Sequence, residues 1–230
     1  AFINDEKRGV VSYDEPIILV TDEKIESVET LLPALEIAAR EGRPFVVVAE
    51  DIEGQALAAL IMNAMRGTMR VCGIKAPRYG EERRNILKDL ALSVGATFVS
   101  RQAGKKLKEV KLTYFGKTKL LEVGKNWTTI LGGKGTLESV EEQIEKLKVI
   151  MQDTESLHEC DKIQERITRL ASGISVIRVG AATEIEMIEK RHRIEDALEA
   201  VKSAQAEGVL PGGGSFLVQN SMKLAESLED

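Results

Sequence analysis

The chain has 230 residues, of which 43% are hydrophobic, 30% charged and only 4% aromatic, and its formal net charge is −5 at pH 7. This length can bury a sizeable core in one or two domains, while the acidic balance lacks the basic footprint of a nucleic-acid-binding protein. No apolar run approaches the roughly 20 residues of a membrane span, so we predict no membrane association. The N-terminus opens Ala1-Phe2-Ile3 without a secretory signal, which indicates a processed chain or a fragment.

Short β-type runs alternate with helical patterns over the first two-thirds of the chain. This alternation predicts an α/β layered domain with mixed, partly parallel sheets flanked by helices. Two later runs, at 118–123 and 127–131, predict a hairpin that ends in a glycine cluster at 132–135. The earlier runs lie at 16–20, 44–48, 69–74 and 96–99, and the helical patterns at 28–41, 54–66 and 81–94.

The pattern changes after residue 135. Residues 136–171 predict a pair of charged amphipathic helices, and 174–179 predicts a strand that begins a small α/β connector. A long helix is predicted from Thr183 to Glu207, followed by the start of a helical domain. Gly173 and Gly208 stand at the boundaries, where each is either a hinge or a plain helix C-cap. The predicted domains are 1–174, 175–207 and 208–230.

The segment Gln55–Arg66 is unusually apolar for one helix, since nine of its twelve residues are apolar. A helix docked on a sheet needs an apolar stripe of only about 100°. Two interpretations remain open: a helix buried on both sides, or a ridge exposed for binding. Leu60 and Ala64 are expected to face the core, with the apolar surface continuing over Leu57, Ile61, Met62 and Met65.

A second apolar feature lies at the start of the preceding helix. Pro33 suits a first helical turn, which would place Leu32 at the N-cap, where a leucine satisfies no backbone donor. Leu32 then either packs as a hydrophobic staple or forms one wall of an apolar groove beside the segment Gln55–Arg66.

Signals for catalysis or metal binding are weak. The chain contains neither GxGxxG nor GxxxxGK[ST], and its two histidines show no catalytic partner. Cys72 and Cys160 stand far apart without a zinc-binding pattern, which predicts free thiols and no metal site. Asp196, taken alone, is a solvated residue on a charged helix. Pro211–Gly214 is either a plain loop or a weak phosphate-binding turn. We therefore predict that this chain alone is not an enzyme.

Several strings fall in one register along the chain: AFIN (1–4), AEDIEGQAL (49–57), NAMRG (63–67), KAPRYG (75–80), RVGAATEIEM (178–187), RIEDAL (193–198) and EGVLPGGG (207–214). In this order and at these spacings they closely resemble the GroEL-type group I chaperonins. By this resemblance, residues 1–174 form the apical domain, 175–207 a segment of the intermediate domain, and 208–230 the start of an equatorial segment.

The resemblance implies a molecular chaperone that captures non-native polypeptides, and binds a co-chaperonin, in a groove between two helices of a homo-oligomeric ring. Two positions depart from the usual pattern: Ala1 replaces a tyrosine, and PRYG at 77–80 replaces PGFG. The positions that match the family's groove are Phe2, Leu32, Leu35, Leu57, Ile61, Met62 and Asn63.

The resemblance also implies ATP and Mg²⁺ in a full-length parent, but no cofactor for this chain alone. Asp196 matches the residue that orients the attacking water, Gly212, Gly213 and Gly214 match a loop that closes on the nucleotide, and Glu184 matches an inter-subunit contact. The implied location is the cytoplasm, or an organellar matrix in a eukaryote. The alternatives are a chaperone ATPase, if the parent supplies a phosphate-binding segment, and an α/β enzyme that reuses this scaffold.

Overall fold

The structure, a computed structural model, describes residues 2–154, 156–171 and 177–228, with side chains as far as Ser221. The chain divides into two compact units, residues 1–174 (unit 1) and 175–230 (unit 2), each described by itself below. Unit 1 contains strands β1 (Val11–Asp14), β2 (Ile17–Val20), β3 (Lys24–Ile25), β4 (Phe45–Ala49), β5 (Asp51–Ile52), β6 (Val71–Lys75), β7 (Gly116–Lys117), β8 (Leu120–Val123) and β9 (Thr128–Leu131). Its helices are α1 (Val28–Glu41), α2 (Gly54–Met65), α3 (Gly80–Val94), α4 (Leu137–Asp153) and α5 (Leu157–Ala171); unit 2 contains α6 (Glu184–Glu207) and α7 (Ser215–Leu228).

A four-stranded sheet of order β6-β4-β2-β7 forms the centre of unit 1. Strands β2, β4 and β6 are parallel and β7 is antiparallel to β2, which confirms the predicted mixed sheet. β2 and β4 are buried along their whole length because both faces of the sheet are covered. Successive side chains of a strand point to opposite faces, so Ile17 and Leu19 enter one core while Ile18 and Val20 enter the other.

The two cores receive different helices. α1 and α2 pack on the first face, through residues such as Leu31 and Leu60. α3 packs on the second face through Leu87 and Val94, together with the smaller antiparallel sheet of order β1-β8-β9. The β8–β9 pair confirms the predicted hairpin. The two helices of the candidate site therefore share one side of the central sheet.

The glycine cluster 132–135 is a packing element against the end of α3. The backbone N–H of Gly135 donates to the carbonyl oxygen of Ser93 at 3.1 Å. A Cβ atom on Gly135 would lie 2.1 Å from the carbonyl oxygen of Leu92, and one on Gly133 would lie 2.3 Å from that of Ser93. Only a residue without a side chain allows so close an approach of the two backbones.

Helices α4 and α5 form the predicted pair and pack against α3. The buried carboxylate of Asp89 on α3 accepts hydrogen bonds from Nε and Nη2 of Arg166 on α5, at 2.7 and 3.0 Å. It also accepts one from Nε2 of Gln143 on α4, at 3.2 Å. One carboxylate thus connects all three helices.

Two local predictions in unit 1 are wrong. The run 96–99 forms only an isolated bridge between Val99 and Thr21, because the backbone N–H groups of Ala96 and Thr97 donate elsewhere, to the carbonyl oxygens of Ala91 and Tyr114. The helical pattern 28–41 agrees with α1, but the placement of Leu32 at its N-cap is wrong: α1 begins five residues before Pro33, because the Ser27 side chain caps it by accepting a hydrogen bond from the N–H of Glu29. Leu32 is therefore inside the helix, and Pro33 lies beyond its first turn.

In unit 2, Thr183 caps the predicted long helix by accepting from the N–H of Glu186, and Gly208 follows as its C-cap with φ of 84°. Of the strand predicted at 174–179, the described residues 177–179 form no strand; the remainder, like Gly173, lies outside the described residues. No strand among the described residues pairs with 177–179. None of the helices in the described part of the chain has the length and apolarity to cross a membrane.

Candidate functional site

Helix α2 buries one side and exposes the other. Ala56 and Leu60 are fully buried against the sheet, whereas Met62 is 46% exposed and Met65 is 75% exposed. Leu57 and Ile61 are half-buried between these two faces. The interpretation of α2 as a helix buried on both sides is therefore wrong, and its outward surface is a continuous apolar ridge.

Helix α1 lies in contact with α2 and adds one large exposed apolar side chain, Leu32, at 47% exposure. Leu35 is different, because only 7% of it is exposed and it packs in the core with Leu31 and Ala38. These three residues follow the i, i+4, i+7 spacing of a single helix stripe, a pattern that assigns Leu35 to the core. We call the apolar area formed by Leu32, Leu57, Ile61, Met62 and Met65 the α1–α2 surface.

The side chain of Asn63 makes two hydrogen bonds near the C-terminal end of α2. Its Nδ2 donates to the carbonyl oxygen of Ala59 at 2.8 Å, and its Oδ1 accepts from the hydroxyl of Thr68 at 3.0 Å. An amide nitrogen carries two hydrogens, so one N–H of Asn63 remains beyond the bond to Ala59. The side chain thus holds the end of the helix in place and retains capacity for one further hydrogen bond.

Phe2, in the entry segment, is half-buried and packs against residues of both cores of unit 1. Met65 was absent from the residues expected to line the groove, yet it is the most exposed member of the α1–α2 surface. Its spacing of three from Met62 and four from Ile61 places it on their side of the helix, which is why the helical pattern had already assigned it to the apolar surface although the resemblance did not.

Charged groups cluster where α1 and α2 begin. The Lys24 ammonium lies 2.8 Å from the Glu53 carboxylate, just before α2, and 3.0 Å from that of Glu26, just before Ser27. Hydrogen bonds to Glu53 and then Glu26 raise the pKa of Lys24. On strands β5 and β6, the hydrogen bond from the Lys75 ammonium lowers the pKa of the Asp51 carboxyl. These ion pairs keep the start of both helices polar and leave the apolar area along their length.

A cavity of about 360 Å³ lies on another side of α1, lined by Thr30 together with Glu23, Arg101 and Leu107. The Glu23 carboxylate accepts a hydrogen bond from Nε of Arg101 at 2.8 Å. None of the residues that line this cavity belongs to the α1–α2 surface, so the two features are separate.

The residues expected to act on ATP lie in unit 2. Asp196 and Glu184 are exposed on α6, Glu184 being its first residue. Gly212, Gly213 and Gly214 form the exposed turn before α7, where the N–H and hydroxyl of Ser215 both donate to the Gly212 carbonyl. Among the described residues, no group of three or more histidine, cysteine or carboxylate side chains is arranged to hold a metal ion.

Comparison with known protein families gives a match over nearly the whole chain. The sequence model of the TCP-1/cpn60 chaperonin family matches residues 17–230. The match covers every residue of the α1–α2 surface. Among the residues expected to line the groove, only Phe2 lies before the start of the match.

Proposed function

The chain belongs to the TCP-1/cpn60 chaperonin family, whose members are protein-folding chaperones, and from this premise we propose that it captures non-native polypeptides on the α1–α2 surface. One observation carries the proposal: two adjacent helices that each contribute buried residues to one core also expose Leu32, Met62 and Met65 to solvent. A folded monomer has no structural need for such an area, and exposed apolar patches of this kind mark binding sites.

The chemistry of this surface suits clients of varied sequence. Leucine and isoleucine supply apolar area without directional requirements, and the flexible thioethers of Met62 and Met65 adapt to side chains of different shapes. The remaining N–H of Asn63 would donate to a backbone carbonyl of an extended client segment. Phe2 would add an apolar edge from the entry segment.

The expected affinity of one such surface is low. Full burial of a leucine, isoleucine or methionine side chain contributes roughly 1.5–3 kcal/mol, so four partly exposed side chains give on the order of 5–10 kcal/mol. Association and ordering cost an estimated ~4–15 kcal/mol, which offsets most of that gain. We expect dissociation constants in about the micromolar to millimolar range for the single chain. A ring that presents several copies would gain roughly 10²–10⁴ in avidity.

We propose that a co-chaperonin competes for the same surface, and that the chain works within a homo-oligomeric ring formed by a longer parent. Gly173 and Gly208 would be its hinges and Glu184 a contact between neighbouring subunits. Under this proposal, clients held by several subunits are released together when the co-chaperonin occupies the α1–α2 surfaces. The proposed location remains the cytoplasm or an organellar matrix.

The described residues do not by themselves fit ATP and Mg²⁺. They offer one exposed carboxylate, Asp196, and one glycine turn, Gly212–Gly214, without a cluster of oxygen ligands for the metal ion. We therefore propose nucleotide chemistry only for the parent, where Asp196 and the glycine turn would complete a site built largely by other segments. Isothermal titration of this chain with ATP and Mg²⁺ should show no tight binding; submicromolar affinity would contradict this assignment.

The decisive experiment places a charge on the α1–α2 surface. Ile61→Glu should reduce the affinity for an apolar peptide by at least about tenfold, because a buried carboxylate without a partner costs several times the loss of one apolar contact. The measurement is peptide titration by fluorescence anisotropy, with circular dichroism as the check of folding.

Ile150→Glu is the matched control, because Ile150 is 51% exposed on α4, which packs with α3 over the opposite core. It introduces the same charge on a helix of the same unit, and it should leave the affinity unchanged. Equal affinities for wild type, Ile61→Glu and Ile150→Glu would show that clients do not bind to the α1–α2 surface.

A further inference from the structure

Two of the three most exposed side chains of the α1–α2 surface are methionines. Met65 is 75% exposed and Met62 is 46% exposed, and they lie three residues apart on α2. Among the other methionines whose side chains are described, Met187 is 39% exposed, and Met69 and Met151 are half-buried. The most accessible thioethers described are therefore placed where the proposed function requires an apolar area.

We propose that Met62 and Met65 form an oxidation site through which two-electron oxidants such as hydrogen peroxide reversibly suppress polypeptide capture. A lone pair of the sulfur forms an S–O bond, the O–O bond of the peroxide breaks, and water leaves. The sulfur loses two electrons and the peroxide gains them. The product, methionine sulfoxide, is polar and can be reduced back by methionine sulfoxide reductases. This inference rests on the proposed function of the α1–α2 surface.

The position of the two methionines explains why binding would respond without loss of the fold. Ala56 and Leu60, rather than the methionines, anchor α2 in the core. A sulfoxide oxygen on Met62 or Met65 stays in water in the free protein. A bound apolar segment would have to desolvate that oxygen without offering a hydrogen-bond donor, which is unfavourable. Oxidation should therefore penalise the complex and spare the free chain.

Met69 provides an internal reference within the same region. It is half-buried and packs against the core of unit 1, so its oxidation should be slower in the folded chain. Trypsin separates the two sites into different peptides. It cleaves after Arg40 and Arg66 but not at the Arg43–Pro44 bond, so residues 41–66 form one peptide that carries both Met62 and Met65. Residues 67–70 then carry Met69 alone.

The experiment exposes the 230-residue chain to hydrogen peroxide and follows sulfoxide formation by mass spectrometry and apolar-peptide affinity by anisotropy. We expect Met62 and Met65 to oxidise before Met69, the affinity to fall by about tenfold or more, and the circular dichroism spectrum to stay unchanged. The Met62→Leu/Met65→Leu variant keeps an apolar surface without thioethers. Its affinity is compared only with its own value before treatment, and peroxide should not lower that value.

The outcomes separate the inference from the proposed function. If the untreated chain does not bind the peptide, the proposed function fails and the switch fails with it. If the untreated chain binds and its affinity survives oxidation of both methionines, only the switch is overturned. An equal loss of affinity in the leucine variant would also overturn it, because the responsible oxidation would then lie elsewhere.

Discussion

Units 1 and 2 stabilise their helices in different ways. In unit 1, α1, α2 and α3 each bury leucines against a sheet that is itself covered on both faces. In unit 2, α6 has 24 residues and none of them is buried. Large apolar side chains there are open to solvent, including Ile185 and Val209 at 82% each.

The helix α6 is supported by local interactions. Thr183 and Glu186 occupy the positions of a capping box, and ion pairs such as Arg191–Glu195 and Arg193–Glu189 join successive turns. Each exposed pair of this kind contributes only ~0.3–0.5 kcal/mol. Within the described residues α6 is thus supported by capping and ion pairs along its own length, whereas the helices of unit 1 depend on buried contacts with its sheets.

The largest effect that tests this comparison is expected at the Asp89–Arg166 pair. Arg166→Ala leaves the buried Asp89 carboxylate without its bidentate partner, which should cost about 3 kcal/mol of unfolding free energy. Urea unfolding followed by the fluorescence of Trp127, the chain's single tryptophan and a residue of unit 1, measures it. Arg169→Ala is the control, because the exposed Arg169–Glu165 pair should contribute less than about 0.5 kcal/mol. Similar losses in both variants would refute the distinction.

A somewhat smaller effect is expected from adding one methyl group to a glycine in each unit. Gly135→Ala would place its Cβ against the carbonyl of Leu92 and should destabilise unit 1 by about 2 kcal/mol. Gly212→Ala in unit 2 meets nothing within 4 Å, so thermal unfolding should be nearly unchanged. The comparison fails if calorimetry shows a larger shift for Gly212→Ala than for Gly135→Ala.

The smallest effect concerns alkaline pH and is confined to unit 1. Burial raises the pKa of the Cys72 thiol from 9.0 to about 12 and that of Tyr13 from 10.0 to about 12. Above pH 9 the folded state keeps protons that the unfolded state releases. The contribution of these two groups to the free energy of unfolding is therefore complete below pH 9 and is lost as pH rises toward 12. The urea midpoint read by Trp127 should fall between pH 9 and 10. The urea midpoint should fall less in Cys72→Ala than in Cys160→Ala, because only the first variant removes the buried thiol. Equal falls in both variants would show that the Cys72 thiol does not cause the pH dependence.

Much of unit 1 could be predicted from its sequence because its signals are periodic and long. The predicted helices 54–66 and 81–94 agree with α2 and α3 to within one residue at each end, and the hairpin agrees with β8 and β9. Strands β3, β5 and β7 have two residues each, which is too short for a periodic pattern; they exist because a neighbouring strand pairs with them. The run 96–99 shows the converse, since its β-type residues form a single bridge while the N–H groups of Ala96 and Thr97 donate to other parts of the chain.

The candidate site was predictable in its location but less so in its details. The apolar excess of Gln55–Arg66 marked the segment, because nine apolar residues exceed what one core-facing stripe uses, but composition left a doubly buried helix and an exposed ridge both open. The pattern 28–41 agrees with α1, but Pro33 wrongly suggested Leu32 as the N-cap, since the hydroxyl of Ser27 caps the helix. The opposite burial of Leu32 and Leu35 depends on how α1 docks on the sheet, which composition does not contain.

Leu32 and Leu35 lie on successive turns of α1 but face different evolutionary constraints. Leu35 fills a close-packed interior, where shape and volume are restricted, so drift there is confined to near-isosteric replacements. Leu32, at 47% exposure, need only remain apolar for the proposed function. Under the proposed function, an apolar substitution at a position of the second kind would change which clients bind while the scaffold beneath stays unchanged. The α1–α2 surface would then be an adaptable layer on a core whose packing restricts substitution.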